Sequence, residues 1–209
     1  RDLAQAQRCA FLHEAAVMDG APVFNLARCC LRGNVIQRIE GILNSTTNFV
    51  LGAMEAGGSL EEAVARAREI GVAEADPRND LDGWDAAVKI AALANVLLGA
   101  SLTPEEVERE SLMEVGPDRL RAARERGCRI KMICEVFREG ERMDGRIAGR
   151  VRAREVPLDA PFALVAGTGS ILRLTTDLLG KIVLTEENPD LTTTAYGVLS
   201  DLLSLPGEP

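Results

Sequence analysis

Residues 73–89 hold the densest set of chemistry-bearing side chains in the chain: Ala73-Glu74-Ala75-Asp76-Pro77-Arg78-Asn79-Asp80-Leu81-Asp82-Gly83-Trp84-Asp85-Ala86-Ala87-Val88-Lys89. Four carboxylates, Glu74, Asp76, Asp80 and Asp82, fall in a short loop, and the helix predicted to follow carries only Asp85 and Lys89 as charged residues. From Ala86 to Ala100 its residues are apolar on nearly every face, the pattern of a helix packed on all sides. Lys89 is therefore expected to sit largely out of water, where an ammonium is costly unless paired. Asp85, four residues earlier on the same face, is the partner in reach. The pair reads either as an ordinary i,i+4 ion pair near a helix start or as a lysine that exchanges protons with a substrate while Asp85 holds it. The loop carboxylates read either as a ligand-binding set or as a solvated acidic loop whose turns are set by Pro77 and Gly83. Asp76 and Asp82 suit a capping or loop-shaping role.

Two further segments stand upstream: Gly41-Ile42-Leu43-Asn44-Ser45-Thr46-Thr47-Asn48-Phe49-Val50-Leu51, and His13-Glu14-Ala15-Ala16-Val17-Met18-Asp19-Gly20-Ala21-Pro22-Val23. The three together, in this order and spacing, resemble the homoserine dehydrogenases. Glu74-Ala75-Asp76-Pro77 followed by Asp80-x-Asp82-Gly83-x-Asp85-Ala86-Ala87-x-Lys89 is similar to the catalytic signature of that family, and Gly41 to Leu51 is similar to its Gly-Ile-x-Asn-Gly-Thr-Thr-Asn segment. The likeness is strong from about residue 10 to 100 and thinner later, where Thr194 to Asp201 resembles the closing helix. Ser45 stands where the family has glycine, and Thr185-Glu186-Glu187-Asn188-Pro189-Asp190 takes the place of a glycine-rich segment near the cofactor, where two glutamates would repel a phosphate.

The resemblance implies a role for each matching residue. Lys89 would transfer the proton at the substrate's hydroxyl or carbonyl oxygen, and Asp85 would orient it. Glu74 and Asp80 would bind the substrate's ammonium and hydroxyl groups, with Thr46 and the Ser45 backbone holding the other end of the amino acid. Glu14, Val17, Asp19 and Ala21 fall where the family binds a monovalent cation, Na+ or K+, mostly through backbone carbonyls. The implied reaction interconverts L-aspartate 4-semialdehyde and L-homoserine with NADP or NAD, in a cytoplasmic homodimer serving synthesis of threonine, methionine and isoleucine.

A dinucleotide site is normally announced by a strand, a Gly-x-Gly-x-x-Gly turn and a helix. The nearest candidate, Gly167-Thr168-Gly169-Ser170, leads into Ile171-Leu172-Arg173-Leu174, which reads as a strand. The chain is accordingly expected to be the substrate and dimerisation portion of a longer enzyme. Residues 1–10 would be the tail of a nucleotide-binding part, and residues 185–209 a segment returning toward it. The alternative is a non-catalytic dimerisation or amino-acid-binding domain that kept the pocket.

Composition narrows the partners. The chain has 209 residues, 46% of them hydrophobic, enough for a substantial core in one domain. A formal net charge of −8 argues against nucleic acid and anionic membrane. The apolar run from Ile90 to Ala100 is too short to span a bilayer. Cys9, Cys29, Cys30, Cys128 and Cys134 are odd in number and lack Cys-x-x-Cys spacing, so neither a disulfide framework nor a zinc site is expected. His13, the single histidine, reads as structural.

The coarse layout predicts an α+β fold, a mixed β-sheet with helices packed mainly on one face. Strands are expected at Phe11 to Val17, Val35 to Ile42, Arg129 to Phe137, Arg146 to Val156, Ile171 to Thr175 and Lys181 to Leu184. Helices are expected at Thr47 to Ala56, after the Ser59-Leu60-Glu61-Glu62 capping box with Gly71 as stop, from Thr103-Pro104-Glu105-Glu106, at Pro117 to Arg126 before Gly127, and at Thr193 to Leu203. Arg150, Arg152 and Arg154 alternate with Val151 and Ala153 as the wet face of a strand or a row that meets an acidic partner. The apolar strand Ile130 to Phe137 offers more hydrophobic surface than a free edge could expose, which predicts a homodimer.

Overall fold

The computed structural model describes residues 2–139 and 145–205; Arg1 and the last four residues, on which the expected terminal segments partly fall, lie outside them. In chain order the elements are α1 (Asp2–Ala6), α2 (Val23–Cys30), β1 (Ile36–Ile42), α3 (Ser45–Glu55), α4 (Leu60–Glu69), α5 (Arg78–Leu81), α6 (Trp84–Leu97), β2 (Glu108–Arg109), α7 (Pro117–Glu125), β3 (Cys128–Arg138), β4 (Ile147–Pro157), α8 (Pro161–Leu164), β5 (Ser170–Thr176), β6 (Lys181–Glu186) and α9 (Leu191–Leu203). They divide into two compact units, Arg1–Gly33 with Pro189–Pro209, and Asn34–Asn188.

The larger unit is an α+β fold around a sheet in the order β2-β4-β3-β1-β5-β6. The sheet is mixed because β2 runs parallel to β4 while the other pairs are antiparallel. Alternation along each strand separates two faces. One carries Ile39, Val136, Val151 and Leu172, all buried, and α6 packs on the sheet against β3 and β4 with Ala87, Ile90, Leu93 and Ala94 sealed from water. Fully burying Ile90 and Leu93 contributes roughly 1.5–3 kcal/mol each, so this contact holds the helix bearing Asp85 and Lys89 firmly against the strands.

The opposite face is ionic. Register sets Glu40 opposite Glu135 on one side and Arg173 on the other, and Glu135 opposite Arg150. Both glutamates are buried, with Glu40 pairing with Arg38, Arg154 and Arg173, and Glu135 with Arg38, Arg152 and Arg154. Burial alone would raise the Glu40 carboxyl, but the Arg173 hydrogen bond and the neighbouring arginines hold it below its ordinary value. The arginine row on β4 is thus the outward face expected, and the carboxylates it meets belong largely to its own sheet. Toward one end, Ile42, Ile133, Val156, Phe162, Ala163, Val165 and Ile171 form an apolar cluster.

In the smaller unit Glu14 is the organising residue. Its buried carboxylate accepts hydrogen bonds from the Phe24 and Asn25 amides at 2.6 and 2.8 Å, satisfying the start of α2. Its own amide donates to Asp201 of α9 at 2.8 Å. Gly197 lets α9 come close: a Cβ there would lie 2.8 Å from the Asp19 carbonyl. His13 packs between the Phe11 and Phe24 rings, tilted against both.

Three expectations are corrected. Phe11 to Val17 is not a strand; it holds only a 3-10 turn, Glu14–Ala16, because Glu14 turns inward to cap α2. The Thr103 to Glu106 signal starts no α-helix. Glu106 does accept from the Thr103 amide at 2.9 Å, yet after one 3-10 turn Val107 is buried in extended backbone and the chain pairs with β4 as β2. The strand Ile130 to Phe137 is not an edge: β3 lies between β4 and β1, and its apolar residues are covered within the chain. The capping box at Ser59 and Glu62 forms as expected, and Gly71 and Gly127 end their helices at φ +75 and +69.

Candidate active site

Asn44 assembles the site. It follows β1 and is the N-cap of α3, its Oδ1 accepting from the Thr47 amide at 2.8 Å. That leaves its amide nitrogen free to donate, and it donates to two carboxylates from elsewhere in the chain, Asp80 at 2.8 Å and Asp85 at 2.9 Å. Asp80 comes from the single turn of α5. Asp85 lies in the first turn of α6, which starts after Gly83 at φ +75. Gly83 is needed on two grounds: the left-handed backbone, and a Cβ that would come within 3.2 Å of Val151.

Lys89 stands one turn beyond Asp85. Its ammonium lies 3.0 Å from Asp85 Oδ2 and donates to the Leu43 carbonyl at 2.8 Å. Two of its three N–H groups are therefore held, and one remains to meet a ligand. Lys89 is largely out of water as expected, with a quarter of its side chain exposed, but the expected packing of the helix on all sides is corrected, since Val88 beside it is 52% exposed. The helix is packed on the sheet side and open on the other, and its apolar run did not reveal that a cavity lies above it.

That cavity, of ≈ 570 Å³, is lined by Asn44, Ser45, Thr46, Glu74, Asp80, Trp84, Asp85 and Lys89, together with Val72, Asp76, Asn79 and Val88. All six substrate and catalytic candidates thus line one pocket. Glu74 is exposed, and Asp76 forms an exposed pair with Arg78. The Arg78 hydrogen bond holds the Asp76 carboxyl at about 2, so this residue shapes the loop. Asp82 does likewise, accepting from the Ser111 hydroxyl at 2.8 Å. The hydroxyls of Ser45 and Thr46 donate to the carbonyls of Thr168 and Val72, each at 3.0 Å. What these two residues offer the cavity is therefore the first turn of a helix, whose amides favour a negative group. Trp84 lies beneath the Arg109 guanidinium, 3.5 Å from its ring centre.

Asn44, Trp84 and Arg109 were not singled out from the sequence. For Asn44 there was a signal: an asparagine directly before Ser-Thr-Thr after a strand is an N-cap, and an N-cap amide has donors to spare.

The proposed cation residues belong to the other unit. Both Glu14 carboxylate oxygens are taken by α2, Asp19 Oδ1 accepts from Thr194 at 2.9 Å, and among the described residues no cluster of His, Cys, Asp and Glu could hold a metal. These side chains do not fit a cation. Nor does the Gly167-Thr168-Gly169 turn fit a dinucleotide phosphate. It leads into strand β5, so no helix start follows to turn its amides toward a phosphate.

A family model for homoserine dehydrogenase matches residues 22–203. The chain belongs to the homoserine dehydrogenase family. It is 38% identical over 203 residues to an NAD(+)-dependent homoserine dehydrogenase of Pseudomonas canavaninivorans, covering 97% of this chain and 57% of that protein. Among solved structures, a homoserine dehydrogenase of Archaeoglobus fulgidus described as putative superposes with a TM-score of 0.87 at 34% identity, covering 96% of this chain and 60% of the other. A hyperthermophilic archaeal homoserine dehydrogenase in complex with NADPH gives a TM-score of 0.79 at 29% identity, covering 97% and 57%. The chain thus spans little more than half the length of these family members.

Proposed function

We propose that this chain is the catalytic portion of an NAD(P)-dependent homoserine dehydrogenase, interconverting L-homoserine and L-aspartate 4-semialdehyde. The observation that carries this reading is the convergence of Asn44, Asp80, Asp85 and Lys89, from three segments of the chain, on one pocket. The ligand suited to it is a small zwitterion. Glu74 and Asp80 attract its ammonium, and the first turn of α3 favours its carboxylate. Oxidising the alcohol removes a proton and a hydride, and a nicotinamide cofactor, when bound, accepts the hydride. Lys89, as the neutral amine, takes the hydroxyl proton; in the reverse direction its free N–H donates to the forming alkoxide while Asp85 and the Leu43 carbonyl fix the nitrogen. The described residues offer no pyrophosphate cradle, so in the whole protein that group is held by another part. A cytoplasmic homodimer is the assembly in keeping with the family, and any cation at Val17 and Ala21 rests on backbone carbonyls alone.

Lys89→Met in the full-length enzyme tests the reading. Methionine fills a similar volume, so folding should survive, while turnover of L-homoserine with NAD or NADP should fall by roughly two to four powers of ten. A folded, fully active variant overturns the mechanism. A wild-type enzyme that binds L-homoserine and never oxidises it favours a binding domain instead.

A further inference from the structure

Lys131 of β3 takes no part in the chemistry above, yet it is one of the most deeply buried charged residues described, 3% exposed. Its ammonium donates to the Asn48 side-chain oxygen at 2.8 Å and to the Val165 carbonyl at 2.7 Å. Asn48 in turn donates to the Gly167 carbonyl at 3.0 Å, and Ser45, one turn earlier on α3, donates to the Thr168 carbonyl at 3.0 Å. Carbonyls of the 165–168 turn are thus held by side chains from the first turn of α3 and from Lys131, and Ser45 lines the pocket. Gly167 at φ +58 lets the turn bend this way. The cost of burying this lysine is offset by its two hydrogen bonds, which an apolar residue would not make.

We propose that Lys131 is a positioning residue of the site: through Asn48 and Val165 it latches the 165–169 turn to the start of α3, and so fixes Ser45 and the helix end that receives the substrate's carboxylate. This rests on the reading of the pocket as an amino-acid site. The two acceptors need two N–H groups, which the amine has whether or not it is charged, so the latch depends on the donors and not on the charge. Loosening it moves the part of the pocket that binds and leaves Lys89, on α6, where it is. The effect should therefore fall on KM.

The test compares full-length wild type, Lys131→Met, Ser45→Ala and the double variant. Wild-type turnover of L-homoserine with a nicotinamide cofactor tests the underlying reading by itself. Given turnover, Lys131→Met should raise KM for L-homoserine about tenfold, the order of one or two lost buried hydrogen bonds, with kcat changed less than about twofold. Because both residues act by holding the 165–169 turn against the start of α3, the double variant should be no worse than the worse single one. Unchanged KM in Lys131→Met, or effects that multiply, overturns the proposal. Amide hydrogen exchange reads the latch even without turnover. Exchange at the hydrogen-bonded amides of Thr47, Asn48 and Gly169 should quicken at least about tenfold in Lys131→Met while α6 stays protected. Equal protection at both sites overturns it. If Lys131→Met does not fold, Lys131→Gln, which keeps N–H donors on a shorter stem, should show a smaller KM rise in the same direction, and no rise counts against the latch.

Discussion

Asn44 caps α3 through its oxygen and bridges Asp80 and Asp85 through its nitrogen, so its two ends can be tested separately. Asn44→Ala should lose the cap, a cost of about 0.5–2 kcal/mol in thermal or denaturant unfolding, and should also lower turnover. Asn44→Asp keeps an oxygen for the Thr47 amide but faces Asp80 and Asp85 with a third carboxylate. It should spare the cap and reduce turnover at least as much as alanine. If Asn44→Asp turned over substrate normally, the amide bridge would have no part in the site. Lys131 supplies a pH prediction. Burial lowers its amine to about 8 from the ordinary 10.5, with Glu55 opposing and Arg129 adding to the effect. Between those values the unfolded chain binds the proton and the folded chain does not, so stability from this group grows as pH rises from 8 toward 10.5 and is lost as pH falls through 8. Wild type should therefore gain on Lys131→Met across that window by up to about 3 kcal/mol, read from denaturant midpoints. A constant difference would mean the lysine stays charged in the fold.

At the scale of elements, the junction between α5 and α6 decides the site, because it brings Asp80 and Asp85 to the same asparagine. Gly83→Ala would force a side chain into the left-handed region and against Val151. Unfolding should cost about 1–2 kcal/mol less than in wild type, and turnover should fall in the surviving folded protein as α6 shifts its first turn. A variant of wild-type stability would show that the junction relaxes freely. The 3-10 turn Pro104–Glu106 illustrates the converse: its local start signal is intact, yet pairing of β2 with β4 and burial of Val107 end it after one turn.

For the whole molecule, assembly was anticipated from β3 as an apolar edge, and that ground is gone because β3 is central. What the sheet presents instead is the arginine and glutamate lattice around Glu40 and Glu135, with Phe137 under Arg38 and Arg150. Among the described residues no helix is long and apolar enough to cross a membrane. The full-length protein is expected to sediment as a dimer at micromolar concentration. A monomer under those conditions would remove the assembly from the proposal.

Much of this protein was legible in its sequence because the signals are local. Asp85 and Lys89 sit four residues apart, which on a helix is enough to pair them; Ser59 and Glu62 close their box within one turn; Gly71 and Gly127 stop their helices by backbone conformation alone. The family signature needs only order and spacing. Tertiary structure decided what depends on register and crossing. Asn44 reaches Asp80 and Asp85 across 36 and 41 residues, Lys131 reaches Asn48 across 83, and Arg154 meets Glu40 across 114. Such contacts follow from which strand lies beside which, and no period of two or of 3.6 along the chain encodes that. The same limit explains Lys89: its helix reads as apolar all round, and only packing against the sheet determines which face is closed and which one looks into the pocket.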